Sequence, residues 1–229
     1  MDESRARRHA WRIEPREYAR HEERRGRRHA YEQLDPRRTA LVVVDLVHFF
    51  VEDNDYARGI VPHVNALAAT LRGAGGLVTW VLPAPAPDPG WGEEFYGPEI
   101  NALYRRSGGQ GSLRDRLWRH LDVGDGDLLV EKTASSAFFP GRSPLPDLLE
   151  ERGIDTVLIT GAVTNVCCES SARDASTLGY RVVMVADANA APRDQEHNAT
   201  LHTVYRSFGD VRPSAEVIAL LRAGALTRR

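Results

Sequence analysis

The sequence predicts an α/β fold, a mostly parallel sheet of about six strands with helices on both faces. Three features of the chain lead to this prediction. Several short runs are apolar and β-branched throughout, as are strands that are buried on both faces. Segments with the helical spacing of apolar residues separate these runs, and glycine or proline residues mark many of the boundaries. Strands that alternate with helices form parallel sheets with right-handed crossovers.

Length and composition favour one domain and argue against nucleic-acid or membrane partners. The chain has 229 residues, 42% of them hydrophobic, and a net charge of -2. Its two cysteines, Cys167 and Cys168, are adjacent and provide no disulfide framework, which favours a reducing, cytoplasmic setting. No apolar run approaches the roughly 20 residues that span a membrane, and the N-terminus lacks the apolar core of a signal peptide.

The N-terminal segment differs from the rest of the chain. Residues 1–38 contain twelve arginines and eight acidic residues, so we interpret them as an arm that precedes the main domain, residues 39–229. Because glutamates are interleaved with the arginines, the arm is predicted to be a solvated helix with local ion pairs rather than an RNA-binding element. Trp11, Tyr18 and Tyr31 could dock it on its own domain or on a neighbouring subunit.

The first predicted strand, Thr39 to Val47, contains a single charge near its carboxyl end. This residue is Asp45, and a lone carboxylate in an apolar run is costly unless it is paired or used in chemistry. A helix over Ile60 to Ala74 and a second strand over Leu77 to Leu82 follow.

A long segment rich in proline, glycine and aromatic residues comes next. Pro83 to Gly111 is predicted to be irregular over most of its length, and loops of this size are commonly lids or binding loops. Its aromatic residues could wall a pocket or equally form a subunit contact; they are Trp91, Phe95, Tyr96 and Tyr104.

The next predicted strand brings a second charged residue to the same edge. It runs from Asp127 to Glu131, and Lys132 follows it directly. The loop after it contains the run SAFFPG, and a helix is predicted over Leu145 to Arg152.

The central strand and the segment after it contain both cysteines. Thr156 to Thr160 is a buried strand that ends at Gly161, and a helix capped by Thr164 or Asn165 is expected to follow. Both cysteines would then lie in its first turn, where the helix dipole lowers the pKa of a thiol from roughly 8.5.

The C-terminal part of the chain completes the pattern. A fifth strand is predicted over Arg181 to Asp187, and a short last strand over Asp210 to Arg212. Helices are predicted over Asp194 to Phe208 and over Ser214 to Ala223.

Three candidate catalytic residues from distant parts of the sequence map to one edge of this sheet. Such three-layer, Rossmann-like sheets bind ligands beyond the carboxyl ends of their strands, and Asp45, Lys132 and Cys167 all follow such ends.

Four motifs in this order carry a family resemblance: TALVVVD, EKTASSAF, ITGAVTNVCCESSARDA and VVMVADANA. The third is the most specific, because it combines a strand, Gly161, Thr164 and Cys167. From about Leu34 to the C-terminus, the chain therefore resembles the isochorismatase-like cysteine hydrolase superfamily. This superfamily includes nicotinamidases, N-carbamoylsarcosine amidases, and ureidoacrylate and biuret hydrolases.

The resemblance implies a catalytic triad, Asp45, Lys132 and Cys167. It also implies a cis peptide bond between Ala162 and Val163, which would turn the Val163 N–H toward that of Cys167 to form an oxyanion hole. At position 168 the family usually has a small apolar residue, so Cys168 is interpreted as core packing.

Two departures from the family pattern bear on the substrate. Val47 replaces a glutamine that is common two residues after the aspartate. The histidines that hold a metal in nicotinamidases are absent between Trp80 and Trp91, so a metal-dependent nicotinamidase is disfavoured, and neither a metal nor another cofactor is expected.

The hypothesis from the sequence is a hydrolase that cleaves a small carboxamide, ureido or N-carbamoyl compound through a thioester. Phe50, Trp91 and Phe138 are expected to line the substrate pocket, and relatives suggest a homo-oligomer, a dimer or a tetramer. Two alternatives remain open. One is an isochorismatase that cleaves a vinyl ether, and the other is a noncatalytic binding module with a basic arm.

Overall fold

A parallel sheet forms the centre of the molecule, which confirms the predicted fold class. The computed structural model describes residues 6–85 and 90–227. Within these residues the strands are β1 (Thr39–Val44), β2 (Leu77–Pro83), β3 (Leu128–Lys132), β4 (Thr156–Ala162), β5 (Arg181–Ala190) and β6 (Asp210–Arg212). They pair in parallel in the order β3-β2-β1-β4-β5-β6.

Helices cover both faces of this sheet and connect its strands. The arm contributes α1 (Pro15–Arg25), and a 3₁₀ turn (Pro36–Arg38) leads into β1. The remaining α-helices are α2 (His48–Val51), α3 (Asp55–Gly73), α4 (Gly92–Tyr96), α5 (Pro98–Arg105), α6 (Leu113–Arg116), α7 (Leu145–Glu150), α8 (Glu169–Thr177), α9 (Asp194–Ser207) and α10 (Ser214–Leu226).

The strand order reverses direction between β1 and β4, and this reversal positions the candidate site. From β1 the chain adds β2 and β3 on one side of the sheet, then returns to add β4, β5 and β6 on the other. The crossovers therefore leave in opposite directions from β1 and β4, which opens a crevice beyond their carboxyl ends.

Alternating side chains of the central strands enter two separate cores. In β1, Leu41 and Val43 pack with the α3 side, whereas Ala40, Val42 and Val44 pack on the opposite face. Because both faces are covered, every residue of β1 is buried. The continuous apolar runs of the sequence reflect this double burial.

One glycine allows β1 and β4 to approach at the edge of the crevice. Gly161 has a φ of 117°, and a Cβ there would lie 2.1 Å from the carbonyl oxygen of Val44. A side chain at this position would collide with backbone as well as adopt an unfavourable conformation. Only glycine lets the two strands end side by side.

The arm packs along the domain, so it is more than a solvated helix. Glu17 and His21 of α1 are buried, and the Glu17 carboxylate lies between His202 and Arg206 of α9, at 3.3 and 3.4 Å. Further along, the buried carboxylate of Asp210 accepts backbone hydrogen bonds from Ala30 and Tyr31, at 2.8 and 2.9 Å.

The aromatic segment after β2 contains more regular structure than the sequence suggests. Residues 92–105 form a hairpin of the helices α4 and α5, and the other described residues of the segment are mostly irregular, as the sequence predicts; residues 86–89 lie outside the described ranges. Pro98 occupies the first turn of α5, where no backbone N–H is needed, and Gly97 supplies a φ of 78° between the two helices. Gly97 and Pro98 therefore mark the boundary between two helices and do not prevent helix formation.

The described residues include no helix with the length and apolar character needed to cross a membrane.

Replacing Asp210 by Asn should destabilise the protein, because the amide cannot accept from two backbone N–H groups as well as a carboxylate. We expect a loss of about 2–4 kcal/mol in the free energy of unfolding, measured by urea denaturation. Glu22→Gln is the control, since its ion pair with Arg28 is exposed and should contribute less than about 1 kcal/mol. Equal losses in the two variants would contradict this account of how the arm is anchored.

Candidate active site

Three reactive side chains meet at the carboxyl edge of the sheet. Asp45 directly follows β1, Lys132 ends β3, and Cys167 lies in the turn after β4. The Lys132 ammonium is 2.8 Å from Asp45 Oδ2 and 3.7 Å from the Cys167 sulfur. The structure thus brings together the three residues that the sequence predicts as a triad, and each is at most 8% exposed.

The backbone of Asp45 is in an unusual conformation. Its φ of 54° places it in the left-handed region, which costs most residues other than glycine roughly 1–2 kcal/mol and which aspartate and asparagine adopt more readily than the others. Its N–H donates to the carbonyl of Val81 in β2, at 2.9 Å, so the neighbouring strand holds this conformation. Backbone strain of this kind is concentrated at functional sites.

The nucleophile candidate lies in a π-helical turn, which differs from the α-helix expected from the sequence. Thr164–Cys168 form this turn, and α8 begins only at Glu169. The Val163 carbonyl accepts from the N–H groups of Val166 and Cys168, at 3.1 and 3.2 Å. Thr164 does not cap the helix, because its hydroxyl is 2.9 Å from Nδ1 of His197.

The backbone before this turn faces the sulfur. The peptide bond between Ala162 and Val163 is cis, and the Val163 backbone lies close enough to the Cys167 side chain to lower the pKa of its thiol. This contact favours the thiolate form of Cys167.

The environment keeps the Cys167 thiol protonated in the resting protein. Burial raises its pKa to about 12, and the nearby Asp45 carboxylate contributes to the rise. The pKa is therefore raised, although the sequence predicts a lowered value, because burial and a carboxylate outweigh the charge of Lys132 and the effect of the Val163 backbone.

The carboxylate and the ammonium group stabilise each other in a dry environment. Burial raises the pKa of Asp45, and the charge of Lys132 opposes that rise. Burial alone would lower the pKa of Lys132, but the charge of Asp45 opposes this effect, so the pKa is raised and the lysine stays cationic. The site therefore contains a lysine cation beside a weakly acidic carboxyl group and a neutral thiol.

Cys168 lies in the core and away from this cluster. Its sulfur is 3.9 Å from the carbonyl oxygen of Thr160, and it is completely buried among apolar residues. Burial raises its pKa well above the usual value of a thiol. These surroundings agree with the interpretation of Cys168 as a packing residue.

Ser171 joins the two loops of the site, and the sequence analysis did not identify it. Its hydroxyl donates to the Cys167 carbonyl at 2.7 Å and accepts from the Ala137 N–H at 2.9 Å. A serine one helical turn after the nucleophile candidate is a signal that could have been used, because serine commonly bonds the carbonyl four residues earlier.

The three aromatic residues predicted to bind substrate have different surroundings. Phe50 is half-buried and packs edge-on against Phe49, whereas Trp91 is 54% exposed before α4. Phe138 is fully buried, and its ring packs against Tyr180, so it supports the loop after β3 rather than presenting a free face. Their roles toward substrate stay predictions.

Val47, which replaces the glutamine common in relatives, belongs to the core. It is buried and pairs with Leu117 in an isolated antiparallel bridge. An apolar residue suits this position, because the surrounding side chains are hydrophobic.

Comparison with known proteins gives consistent matches over most of the chain. Residues 39–216 match the family model for the isochorismatase domain. An uncharacterized isochorismatase family protein from Bacillus subtilis, YwoC, is 32% identical over 81% of this chain and 95% of its own length. The ureidoacrylate amidohydrolase RutB of Klebsiella pneumoniae is 28% identical over 76% of this chain and 83% of its own length.

Solved structures with the same fold include proteins with named activities. A cysteine hydrolase from Pseudomonas syringae pv. phaseolicola matches with a TM-score of 0.73 and 26% identity, covering 86% of this chain and 97% of the other. N-carbamoylsarcosine amidase from Thermoplasma acidophilum matches with a TM-score of 0.61 and 28% identity. The match covers 77% of this chain and 96% of the amidase chain.

Removing one partner of the buried ion pair should cost more stability than removing both. Lys132→Met leaves a carboxylate without its cation, and we expect a loss of about 3–5 kcal/mol at pH 7 in denaturant unfolding. Because removal of the lysine charge raises the pKa of Asp45 further, the loss relative to the wild type should grow as pH rises above the pKa of wild-type Asp45, which already lies above the unfolded value of about 4.

The double variant Asp45→Asn with Lys132→Met is the control. It removes both charges, and it should recover most of the stability at pH 7. Additive losses from the two substitutions would show that the side chains do not interact.

Proposed function

The chain belongs to the isochorismatase family, and from this premise we propose that it hydrolyses a C–N bond of a small carboxamide, ureido or N-carbamoyl compound with Cys167 as nucleophile. The observation that carries the proposal is the meeting of a thiol, a carboxylate and an ammonium group in one buried cluster. A binding module has no need for these three groups in contact. The names of RutB and of the N-carbamoylsarcosine amidase support the choice of a C–N bond.

In the first half of the reaction, Asp45 acts as the base. It removes the Cys167 proton as the sulfur attacks the carbonyl carbon of the substrate, so the high thiol pKa does not prevent attack. The raised pKa of Asp45 makes it a better proton acceptor than an ordinary carboxylate. Lys132 stays cationic and holds the carboxylate in place.

The tetrahedral intermediate is stabilised by backbone N–H groups. Those of Val163 and Cys167 are the proposed oxyanion hole, and one such donor contributes roughly 3 kcal/mol to transition-state stabilisation. As the C–N bond breaks, the Asp45 proton moves to the departing nitrogen, which leaves as ammonia or an amine. A thioester to Cys167 is the product of this half-reaction.

Hydrolysis of the thioester completes the cycle. Asp45, again a carboxylate, removes a proton from water as the water oxygen attacks the thioester carbonyl. The same oxyanion hole stabilises the second tetrahedral intermediate, and collapse returns the sulfur, which regains its proton from Asp45. The acid product then leaves.

Substitution of the two adjacent cysteines should separate nucleophile from packing residue. We expect Cys167→Ala and Cys167→Ser to lower ammonia release from a panel of small amides, ureido acids and N-carbamoyl compounds by at least about 10⁴-fold. Cys168→Ala should keep activity, since its sulfur only packs in the core.

The same panel distinguishes the alternatives. Pyruvate release from isochorismate without ammonia release would instead indicate a vinyl ether hydrolase. Turnover that survives Cys167→Ala, or full activity loss in Cys168→Ala with a native fold, would contradict the assignment of the nucleophile.

We further propose that a second copy of this chain covers an apolar surface on the α4–α5 hairpin. Six of the ten large hydrophobic side chains that the described residues expose lie here, each 41–74% exposed: Trp91, Phe95, Tyr96, Ile100, Leu103 and Tyr104. Patches of this kind on a folded protein mark interaction sites.

The pattern along α5 favours a second copy over an unrelated partner. Ile100, Leu103 and Tyr104 form one apolar face, with Glu99 in the first turn and Arg106 just after the last. Two copies of α5 that pack antiparallel about a two-fold axis would place the acidic end of each against the basic end of the other. The surface is therefore complementary to itself in charge.

Charge reversal on this hairpin should test the pairing. Leu103→Glu and Glu99→Arg are each expected to weaken self-association by about tenfold or more, measured by analytical ultracentrifugation, whereas Glu99→Arg with Arg106→Glu should restore it. Leu226→Glu is the control, because Leu226 is 70% exposed on α10, outside the patch. A wild-type protein that stays monomeric, or a double variant weaker than Glu99→Arg, would refute this interface.

A further inference from the structure

The arm inserts one of its side chains between two helices of the domain. The ring of His9 stacks between Tyr56 of α3 and His197 of α9, with ring centroids 3.9 and 4.1 Å apart. Its side chain is 2% exposed. Nε2 accepts from the Ala191 N–H at 3.0 Å, so Nδ1 carries the proton and donates to Asp194 at 2.6 Å. Both faces and both nitrogens of this ring are therefore engaged.

One of these contacts leads to the turn that contains the nucleophile. His197 is fully buried, and its Nδ1 is 2.9 Å from the hydroxyl of Thr164, the first residue of that turn. Burial lowers the pKa of His197 to about 3, so the ring stays neutral and can share a hydrogen bond with the hydroxyl. The stack with His9 fixes the plane of the His197 ring, and this plane determines where Nδ1 points.

The hydrogen bond between His9 and Ala191 connects the arm with the same turn through the sheet. Ala191 directly follows β5, and its neighbour Ala190 pairs with Ala162 at the end of β4. His9 therefore holds the end of the strand that supports the loop into Cys167. Two sets of contacts therefore connect His9 with residues 162–164, one through His197 and the other through Ala191.

We propose that His9 is a positioning residue for the nucleophile turn, so that the N-terminal arm is part of the catalytic apparatus. The inference rests on the proposed role of Cys167. Small displacements of a nucleophile reduce rates strongly, because the attacking atom must lie close to its target in a defined direction. The arm would act through His197 and Ala191 and would not touch substrate.

The arm has other anchors, which makes a point substitution informative. Glu17 and Asp210 hold it through contacts remote in sequence from His9. Loss of the His9 side chain should therefore leave the rest of the arm in place. An effect on the turn would then report on this contact rather than on release of the arm.

The chain also offers a matched pair of substitutions in α3. A Cβ at Gly59 would lie 1.8 Å from the carbonyl oxygen of Arg7, so Gly59→Ala should displace the arm beside His9. A Cβ at Gly73 would meet nothing within 4 Å. Both changes add one methyl group to the same helix, but only one of them disturbs the arm.

Hydrogen exchange of the full-length protein, followed by mass spectrometry, should test the proposal without a substrate. We expect His9→Ala and Gly59→Ala to accelerate amide exchange in residues 163–168 about tenfold, and Gly73→Ala to leave it unchanged. With the best substrate of the ammonia panel, the first two should lower kcat about tenfold and change KM less than about twofold.

The exchange result decides between the possible outcomes. Unchanged exchange in residues 163–168 of His9→Ala, with or without faster exchange in the arm, would overturn the positioning role. Faster exchange there would support it even if no compound in the panel is hydrolysed, so a failure of the proposed function is distinguishable. If Gly59→Ala does not fold, the exchange of residues 163–168 in His9→Ala alone tests the positioning role.

Discussion

The ion pair between Asp45 and Lys132 is the interaction on which the site depends. Each of these charges alone would be strongly disfavoured in so dry a place, and their contact at 2.8 Å makes burial of both acceptable. Asp45 follows β1 and Lys132 is the last residue of β3, and β2 separates these strands, so their meeting requires the parallel register of all three. The thiol of Cys167 is then added from β4, across the point where the strand order reverses.

Burial has a further effect on the chemistry. It keeps Cys167 as a thiol in the resting protein and makes Asp45 a stronger base, and in the proposed reaction the proton passes from the sulfur to this carboxylate. A free thiolate would be exposed to oxidants and alkylating agents, whereas a thiol that is deprotonated only during attack is protected. The low exposure of Cys167 and the π-helical turn around it fit this arrangement.

Much of this architecture could be predicted from the sequence because it is encoded locally. Apolar runs such as Thr39 to Val44 indicate buried strands, and parallel strands place the residues after them at one edge. The pKa of Cys167 could not be predicted, since it depends on burial and on a carboxylate 122 residues away in the chain. Docking of the arm on its own domain is one of the two arrangements that the sequence suggests, but the contacts that anchor it could not be predicted for the same reason, because the partners of Glu17 lie in α9.

The left-handed backbone of Asp45 restricts how this site could be lost during evolution. Asparagine and glycine accept a positive φ readily, whereas β-branched residues do not. A descendant that abandons the reaction but keeps the fold would therefore pass most easily through Asn or Gly at this position. Either residue would leave the buried Lys132 ammonium without its counter-ion. Loss of the carboxylate at position 45 would therefore favour loss of the lysine at position 132 as well, so the two residues are expected to disappear together.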